Sequence, residues 1–227
     1  LFENIDSTNE ECKRIDQNKD FHVVIAEQQT MGKGRLGKNW SSPSSGNVYM
    51  SIYSKELPNN IPLSLIVGLI CVKTLNSMIK NDSIGLKWPN DMLLDKKKIG
   101  GILVEKEVMG KDINNIVGIG INLNHPEKED WWGDLHKFGI HLRRDELINK
   151  LLHSYIKFYD NGISDWQELW HKYCVHLNHE IKIKHNNNII NEGIFLGINA
   201  DGSLNLKIND NEEIKYEHGE ISIEGIY

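Results

Sequence analysis

The apolar positions of the chain change period several times, and each change predicts an element. Phe21-His22-Val23-Val24-Ile25-Ala26 is β-branched and apolar enough for a buried strand. Asn47-Val48-Tyr49-Met50-Ser51-Ile52-Tyr53 alternates with period two, the signature of a half-buried strand. Pro62 is placed for the first turn of a helix to about Lys80, with Leu65, Ile66, Leu69, Ile70 and Val72 giving broad burial. Ile84 to Trp88 reads as a strand stopped by the turn sequence Pro89-Asn90-Asp91. Met92-Leu93-Leu94, a turn over Asp95-Lys96-Lys97-Lys98, and Ile99 to Glu105 predict a hairpin. Asn115 to Leu123 adds a strand, in which Gly118 and Gly120 allow something to approach the backbone closely.

Helical spacing recurs elsewhere. Thr8 followed by Glu11 has the form of a capping box, so a short helix is expected to about Asp16. Leu147, Leu151, Leu152, Tyr155 and Phe158 give a helix over Arg144 to Tyr159, ended by Asn161-Gly162. Ser164 with Gln167 starts another, carrying Trp166, Leu169, Trp170 and Tyr173. Between these helices and the last long strand lies a polar loop in which Trp131 and Trp132 are expected to pack against the domain. After Leu177 the texture becomes short strands: Glu180 to His185, Ile189 to Leu196, Ser203 to Ile208, Glu213 to Tyr216 and Glu220 to Ile223. Asn186-Asn187-Asn188, Asn199 to Gly202 and Asp210-Asn211 supply turns between them. The expected architecture is α+β: a mixed sheet flanked by helices over 1–177, and a small β-barrel over 178–227.

Composition narrows the partners. The 227 residues are 39% hydrophobic and 26% charged, ordinary for a soluble globular protein. A net charge of -6 argues against a general nucleic-acid binder, which needs a basic surplus. Any positive site is therefore local. Cys12, Cys71 and Cys174 form no zinc-ligand spacing and suit reduced cytosolic thiols. The longest apolar run, Leu63 to Val72, covers half a bilayer, so neither a membrane helix nor a membrane partner is expected.

The candidate chemistry centres on Gly32-Lys33-Gly34-Arg35-Leu36-Gly37-Lys38, where glycines alternate with cations between two strands and Trp40 follows. Backbone N–H groups and positive side chains can converge there on an anion. The helix cap at Ser7, Thr8 and Asn9 offers hydroxyls and N–H groups to a polar ligand. Asp91 is a carboxylate suited to Mg²⁺. Together these are the parts needed to join a carboxylic acid to the α-phosphate of ATP. The obstacle is the repulsion of two anions, roughly 4 kcal/mol per charge pair near 4 Å at an effective dielectric of about 20. Lys87, Lys33 and Arg35 supply the charge that cancels it.

The segments GKGRLGKNW, KWPND, KKIGGILVE and GIGINLN, in this order after DSTN, resemble biotin protein ligase, the biotin-[acetyl-CoA-carboxylase] ligase family, over nearly the whole chain. The resemblance implies a class II synthetase-like catalytic domain with an SH3-like C-terminal barrel. It implies activation of biotin by MgATP to biotinyl-5'-AMP and transfer to a lysine of a biotin carboxyl carrier domain. Ser7, Thr8, Asn9 and Gln29 would face the biotin head group, with Gly118 and Gly120 beneath the ligand. Gly32, Lys33, Gly34 and Arg35 would close over carboxylate and phosphate as a lid that orders on binding, and Lys87 would touch the reacting oxygens. Trp40 and Asn122 would hold adenine, and Asn90 and Asp91 would lie near phosphate and metal. The likeness further implies a cytoplasmic enzyme and is compatible with a homodimer; because the chain opens almost at the catalytic motif and is acidic, no N-terminal DNA-binding domain is expected. Lys33 and Lys38 depart from the family, which usually carries arginine there: charge is kept and bidentate geometry is lost. The rival readings are a lipoate or octanoate ligase, whose arginine-rich, triple-glycine, histidine-containing signature is missing, and a sensor that holds biotin without turnover.

Overall fold

The structure is a computed structural model and describes residues 1–15, 19–55, 62–109, 112–126, 129–186, 188–217 and 221–225. Asp16, Asn187 and Glu220, expected in the first helix, a turn and the last strand, lie outside the described residues, as do Ile226 and Tyr227.

Seven strands form the main sheet: β1 (Phe2–Ile5), β2 (Phe21–Gln29), β3 (Val48–Lys55), β4 (Ile84–Lys87), β5 (Asp91–Leu94), β6 (Lys97–Met109) and β7 (Asp112–Ile121). Their order is β1-β2-β3-β7-β6-β5-β4. Only β1 and β2 run parallel, with Phe2 opposite Ala26, which makes the sheet mixed.

β3 departs from the half-buried expectation, because it is buried from Val48 through Ser54. Both of its faces are covered. Val48, Met50 and Ile52 join the main core beneath helix α2 (Leu63–Ile79), and Ser54 Oγ pairs at 3.0 Å with the Tyr155 hydroxyl of helix α3 (Arg144–Asn161). Tyr53 packs with Cys12 of helix α1 (Thr8–Arg14), Val24 and Ile116 on the opposite side. α2 is apolar all round and almost wholly buried, as its sequence predicts. Pro62 stands just before its first turn, and Lys80 ends it in the left-handed region. The Asn76 side chain then accepts from the Ile84 N–H at 3.1 Å and donates to the Ile84 carbonyl at 3.0 Å, pinning the start of β4.

Two boundaries differ from the sequence expectation. The β5–β6 turn is only Asp95-Lys96, both with positive φ, so Lys97 and Lys98 belong to the strand. Helix α4 (Trp166–Tyr173) begins after Asp165, itself left-handed, and Ser164 does not cap it.

The second sheet holds β8 (Glu180–His185), β9 (Asn188–Ile198), β10 (Leu204–Asn209), β11 (Glu212–Tyr216) and β12 (Ile221–Glu224). All its pairings are antiparallel, in the order β11-β10-β9-β8-β12. Ile181, Ile183, Phe195, Leu204, Leu206, Ile221 and Ile223 from this sheet bury into the same core as α2 and the main sheet. It is held at the junction by α4, where His171 Nε2 accepts the Ile198 N–H at 2.9 Å. Among the described residues no helix is long and apolar enough to cross a membrane.

Candidate active site

A cavity of about 420 Å³ opens where α1, the 33–41 loop, the ends of β4, β6 and β7, and β12 meet. Ser7, Thr8, Asn9, Gln29, Lys33, Gly34, Arg35, Trp40, Lys87, Asn90, Asp91, Gly118, Gly120 and Asn122 all line it. Of the candidates named from sequence, Gly32 alone stands behind the lining. Its carbonyl accepts the Trp40 N–H at 2.9 Å, and the place a Cβ would take is filled by the Trp40 carbonyl oxygen at 2.4 Å.

One wall is a hydrogen-bonded network of neutral groups. Gln29 Oε1 accepts the Thr8 backbone N–H at 2.8 Å and lies 3.0 Å from the Thr8 hydroxyl, while Gln29 Nε2 donates to Ser42 Oγ at 2.8 Å. The Ser51 hydroxyl lies 2.7 Å from Thr8 Oγ1 and 2.5 Å from Asn9 Oδ1. Since an amide oxygen only accepts, Ser51 donates to Asn9. The expected capping box is therefore absent: Ser7 is the N-cap without a side-chain bond, and Thr8 spends its polar groups on Gln29 and Ser51.

The middle of the cavity is cationic. Lys87 sits at the end of β4, and burial pushes its pKa down to about 8; Asp91 opposes the fall, while Lys98, Lys38 and Lys184 add to it. Burial also lowers the Arg35 pKa, again against the pull of Asp91. Arg35 reaches Asn90 Oδ1 at 3.5 Å and donates to the Ile221 carbonyl at 3.3 Å, tying the loop to β12. Lys98 pairs with Asp91 at 2.7 Å, and its ammonium stands 5.1 Å from the Trp40 ring centre and 5.9 Å from that of Trp131. Lys33 forms an ion pair with Glu10 of α1. The loop itself is a tight turn, closed by the Gly34 N–H donating to the Lys38 carbonyl at 2.7 Å, with Leu36 and Gly37 at positive φ.

The third zone is aromatic. A Cβ on Gly120 would fall 2.7 Å from the Trp40 ring, and one on Gly118 would fall 2.5 Å from Asn9 Oδ1. The close approach expected at these glycines is thus made by protein side chains that themselves form the cavity wall. Asn122 Nδ2 donates to the Gly133 carbonyl at 3.1 Å, and its Oδ1 is buried without a protein partner among the described residues. Trp40 Nε1 is in the same condition. Trp131 and Trp132 meet edge to face at 5.3 Å and line the cavity; half-buried Trp132 packs on the domain as expected, its ring 5.3 Å from that of His125, whereas Trp131 is 55% exposed.

Sequence reasoning missed Lys98, Ser51, Glu105, Lys184 and the two tryptophans as site residues. Lys98 was hidden in a supposed four-residue turn; two-residue turn chemistry would have placed it on a strand beside Gly100 and Gly101. Ser51 was lost in an alternating strand. Lys184 comes from β8 and borders the cavity beside Glu224, its ion-pair partner.

A mixed sheet whose β2–β3 connection carries a glycine and cation loop over a cavity combining neutral donors, clustered lysines and an aromatic shelf defines a site suited to a polar acid and a nucleotide-like anion. Two family models match: the Biotin/lipoate A/B protein ligase family over residues 1–122, and the Biotin protein ligase C terminal domain over residues 176–223. The chain belongs to the biotin/lipoate A/B protein ligase family. It is 33% identical to the bifunctional ligase/repressor BirA of Escherichia coli (strain K12) over 221 residues, which is 89% of this chain and 67% of that protein. Against the human biotin–protein ligase it is 32% identical over 181 residues, 71% of this chain and 25% of the relative. Its fold matches the Aquifex aeolicus biotin protein ligase solved in complex with biotin and ATP, with a TM-score of 0.81, 27% identity, and coverage of 99% of this chain and 97% of the other.

Proposed function

We propose that this chain is an ATP-dependent biotin protein ligase. The observation that carries the reading is the meeting, in one cavity, of the neutral wall at Thr8, Asn9 and Gln29, the cations Lys87 and Arg35, and the shelf at Trp40 with the open acceptor Asn122 Oδ1. These suit the ureido head group, the carboxylate and triphosphate, and the adenine in turn.

In the first step a biotin carboxylate oxygen bonds to the α-phosphorus of ATP, the bond to the β-phosphate oxygen breaks, and pyrophosphate leaves. Lys87 and Arg35 neutralise the two approaching anions, with Lys33 and Gly34 closing the loop over them. Burial makes each charge count for more than in water. In the second step a lysine amine of a biotin carboxyl carrier domain attacks the acyl carbon of biotinyl-5'-AMP, AMP leaves, and an amide forms. Asn90 lies beside Arg35 at the phosphate end.

Mg²⁺ fits the donor set. It commonly takes one or two carboxylates together with substrate phosphates, and Asp91 is a single carboxylate on the cavity wall. Asp91 would hold the ion from the protein side, with substrate phosphates as its other partners. When bound, the ion neutralises polyphosphate charge. The division into a catalytic part over 1–177 and an SH3-like part over 178–227, a cytoplasmic location and a homodimer belong to the same proposal.

Biotin-dependent exchange between ATP and labelled pyrophosphate tests the reading, followed by transfer to a carrier domain with Lys87→Ala as control. No exchange excludes the enzyme, and exchange driven by lipoate in place of biotin moves the chain to the other branch of its family.

A further inference from the structure

Glu105 lies on β6 outside the cavity lining, yet it holds a residue of the neutral wall. Its Oε2 accepts from Asn9 Nδ2 at 2.7 Å, and its Oε1 pairs with Lys13 at 3.0 Å. Asn9 is 3% exposed, and its amide has only one possible orientation: nitrogen toward the carboxylate, oxygen toward the Ser51 hydroxyl. Gly118, lacking a Cβ, leaves the space that this orientation needs.

The chain of contacts continues outward along α1. Lys13 also pairs with Glu10 at 2.8 Å, and Glu10 pairs with Lys33 of the loop. Lys13, Glu10 and Glu105 each keep only 26 to 28% of their side-chain surface exposed, so this stretch is partly shielded from solvent and salt, while Lys33 at the outer end is 43% exposed. We propose that Glu105 is a positioning residue which fixes the Asn9 amide toward the head group and, through Lys13 and Glu10, couples that wall to the loop cation Lys33.

The inference rests on the biotin-ligase reading and makes separable demands on two steps. Loss of the Glu105 charge frees the Asn9 amide and slackens the loop. Loss of Lys13 leaves the Asn9–Glu105 bond in place and severs only the link from that wall to the Glu10–Lys33 pair of the loop.

The test measures KM for biotin, KM for ATP, the rate of adenylate release and the melting temperature for the parent, Glu105→Gln and Lys13→Gln. Glu105→Gln is expected to raise the biotin KM about fivefold, as for exchanging a hydrogen bond to a charged group for a neutral one, with the ATP KM unchanged. Lys13→Gln is expected to speed adenylate release about threefold, the scale of a part-exposed ion pair, and to leave the biotin KM unchanged. Glu105→Asp is expected to recover part of the biotin KM. An equal rise in both KM values with a lowered melting temperature would make Glu105 merely structural and overturn the inference. Unchanged release in Lys13→Gln overturns the coupling. No exchange in the parent chain removes the function and this inference together, whereas exchange in the parent with unaltered variants removes the inference alone.

Discussion

Trp88 donates its indole N–H to the carbonyl of Gly202 at 3.0 Å, across 114 residues of sequence. Both ends are buried: Trp88 is 1% exposed, and Gly202, at φ +83, has Pro62 where a Cβ would stand. This bond ties the strand that delivers Lys87 to the second sheet, whose Ile221 carbonyl holds Arg35. Trp88→Phe leaves the carbonyl buried and unpaired, a cost of about 1 to 3 kcal/mol. Denaturant titration is expected to read that loss of stability, and a variant as stable as its parent would show that the bond does not matter.

The depressed pKa of Lys87 gives activity and stability opposite slopes. With the amine protonated only below about 8, kcat/KM for adenylate formation is expected to fall as pH rises through that value. The unfolded chain keeps this proton up to the ordinary lysine range near 10.5, so between the two values it binds more protons than the folded chain. Stability therefore rises with pH in that window. Lys87→Arg is expected to move the fall in kcat/KM to higher pH, and a profile that stays where it was would remove Lys87 from the rate.

Gly120 sets the position of the aromatic shelf. A methyl group there meets the Trp40 ring at 2.7 to 2.8 Å, and overpacking of this kind typically costs 1 to 3 kcal/mol. Gly120→Ala is expected to raise the ATP KM about tenfold while leaving biotin binding, measured by calorimetry, at its parental value. Equal loss of both ligands contradicts the assignment of this wall to the nucleotide.

The loop lysines make a kinetic prediction. Lys33 and Lys38 keep the charge of arginine without its paired donors. Lys33→Arg with Lys38→Arg is expected to slow adenylate release by about threefold, the scale of converting single to bidentate contacts. Release from the double variant as fast as from the parent shows that bidentate geometry at these two positions does not set the rate.

Much of this site was legible because its parts are local. The glycine and cation loop, the strand ending at Lys87 and the second sheet each announce themselves within a few residues, and the family resemblance joins them. What escaped depends on contacts far apart in sequence. Thr8 reads as half of a capping box, and nothing nearby reveals that Gln29, 21 residues on, takes its N–H. Gly118 and Gly120 announce a close approach without saying by what, and the answer is Asn9 and Trp40. β3 reads as half-buried because Asn47 and Ser51 alternate with apolar Val48, Met50 and Ile52, yet Asn47 and Ser51 are both buried, Ser51 on Thr8 and Asn9 of α1. Lys98 was misplaced by a turn two residues too long, which left it in the loop and off the strand that aims it at Asp91.

The two carbonyls that reach from the C-terminal sheet region toward the main sheet, those of Gly202 and Ile221, have a consequence for the chain as it is made. Trp88 leaves the ribosome 114 residues before Gly202, and at about 5 to 20 residues per second the interval is on the order of ten seconds. Throughout that time the strand bearing Lys87 has no acceptor for its neighbouring indole, and Arg35 lacks the carbonyl that steadies it. The growing polypeptide thus carries its reactive side chains well before it can hold them in place, and synthesis of β12 is the event that turns one into the other.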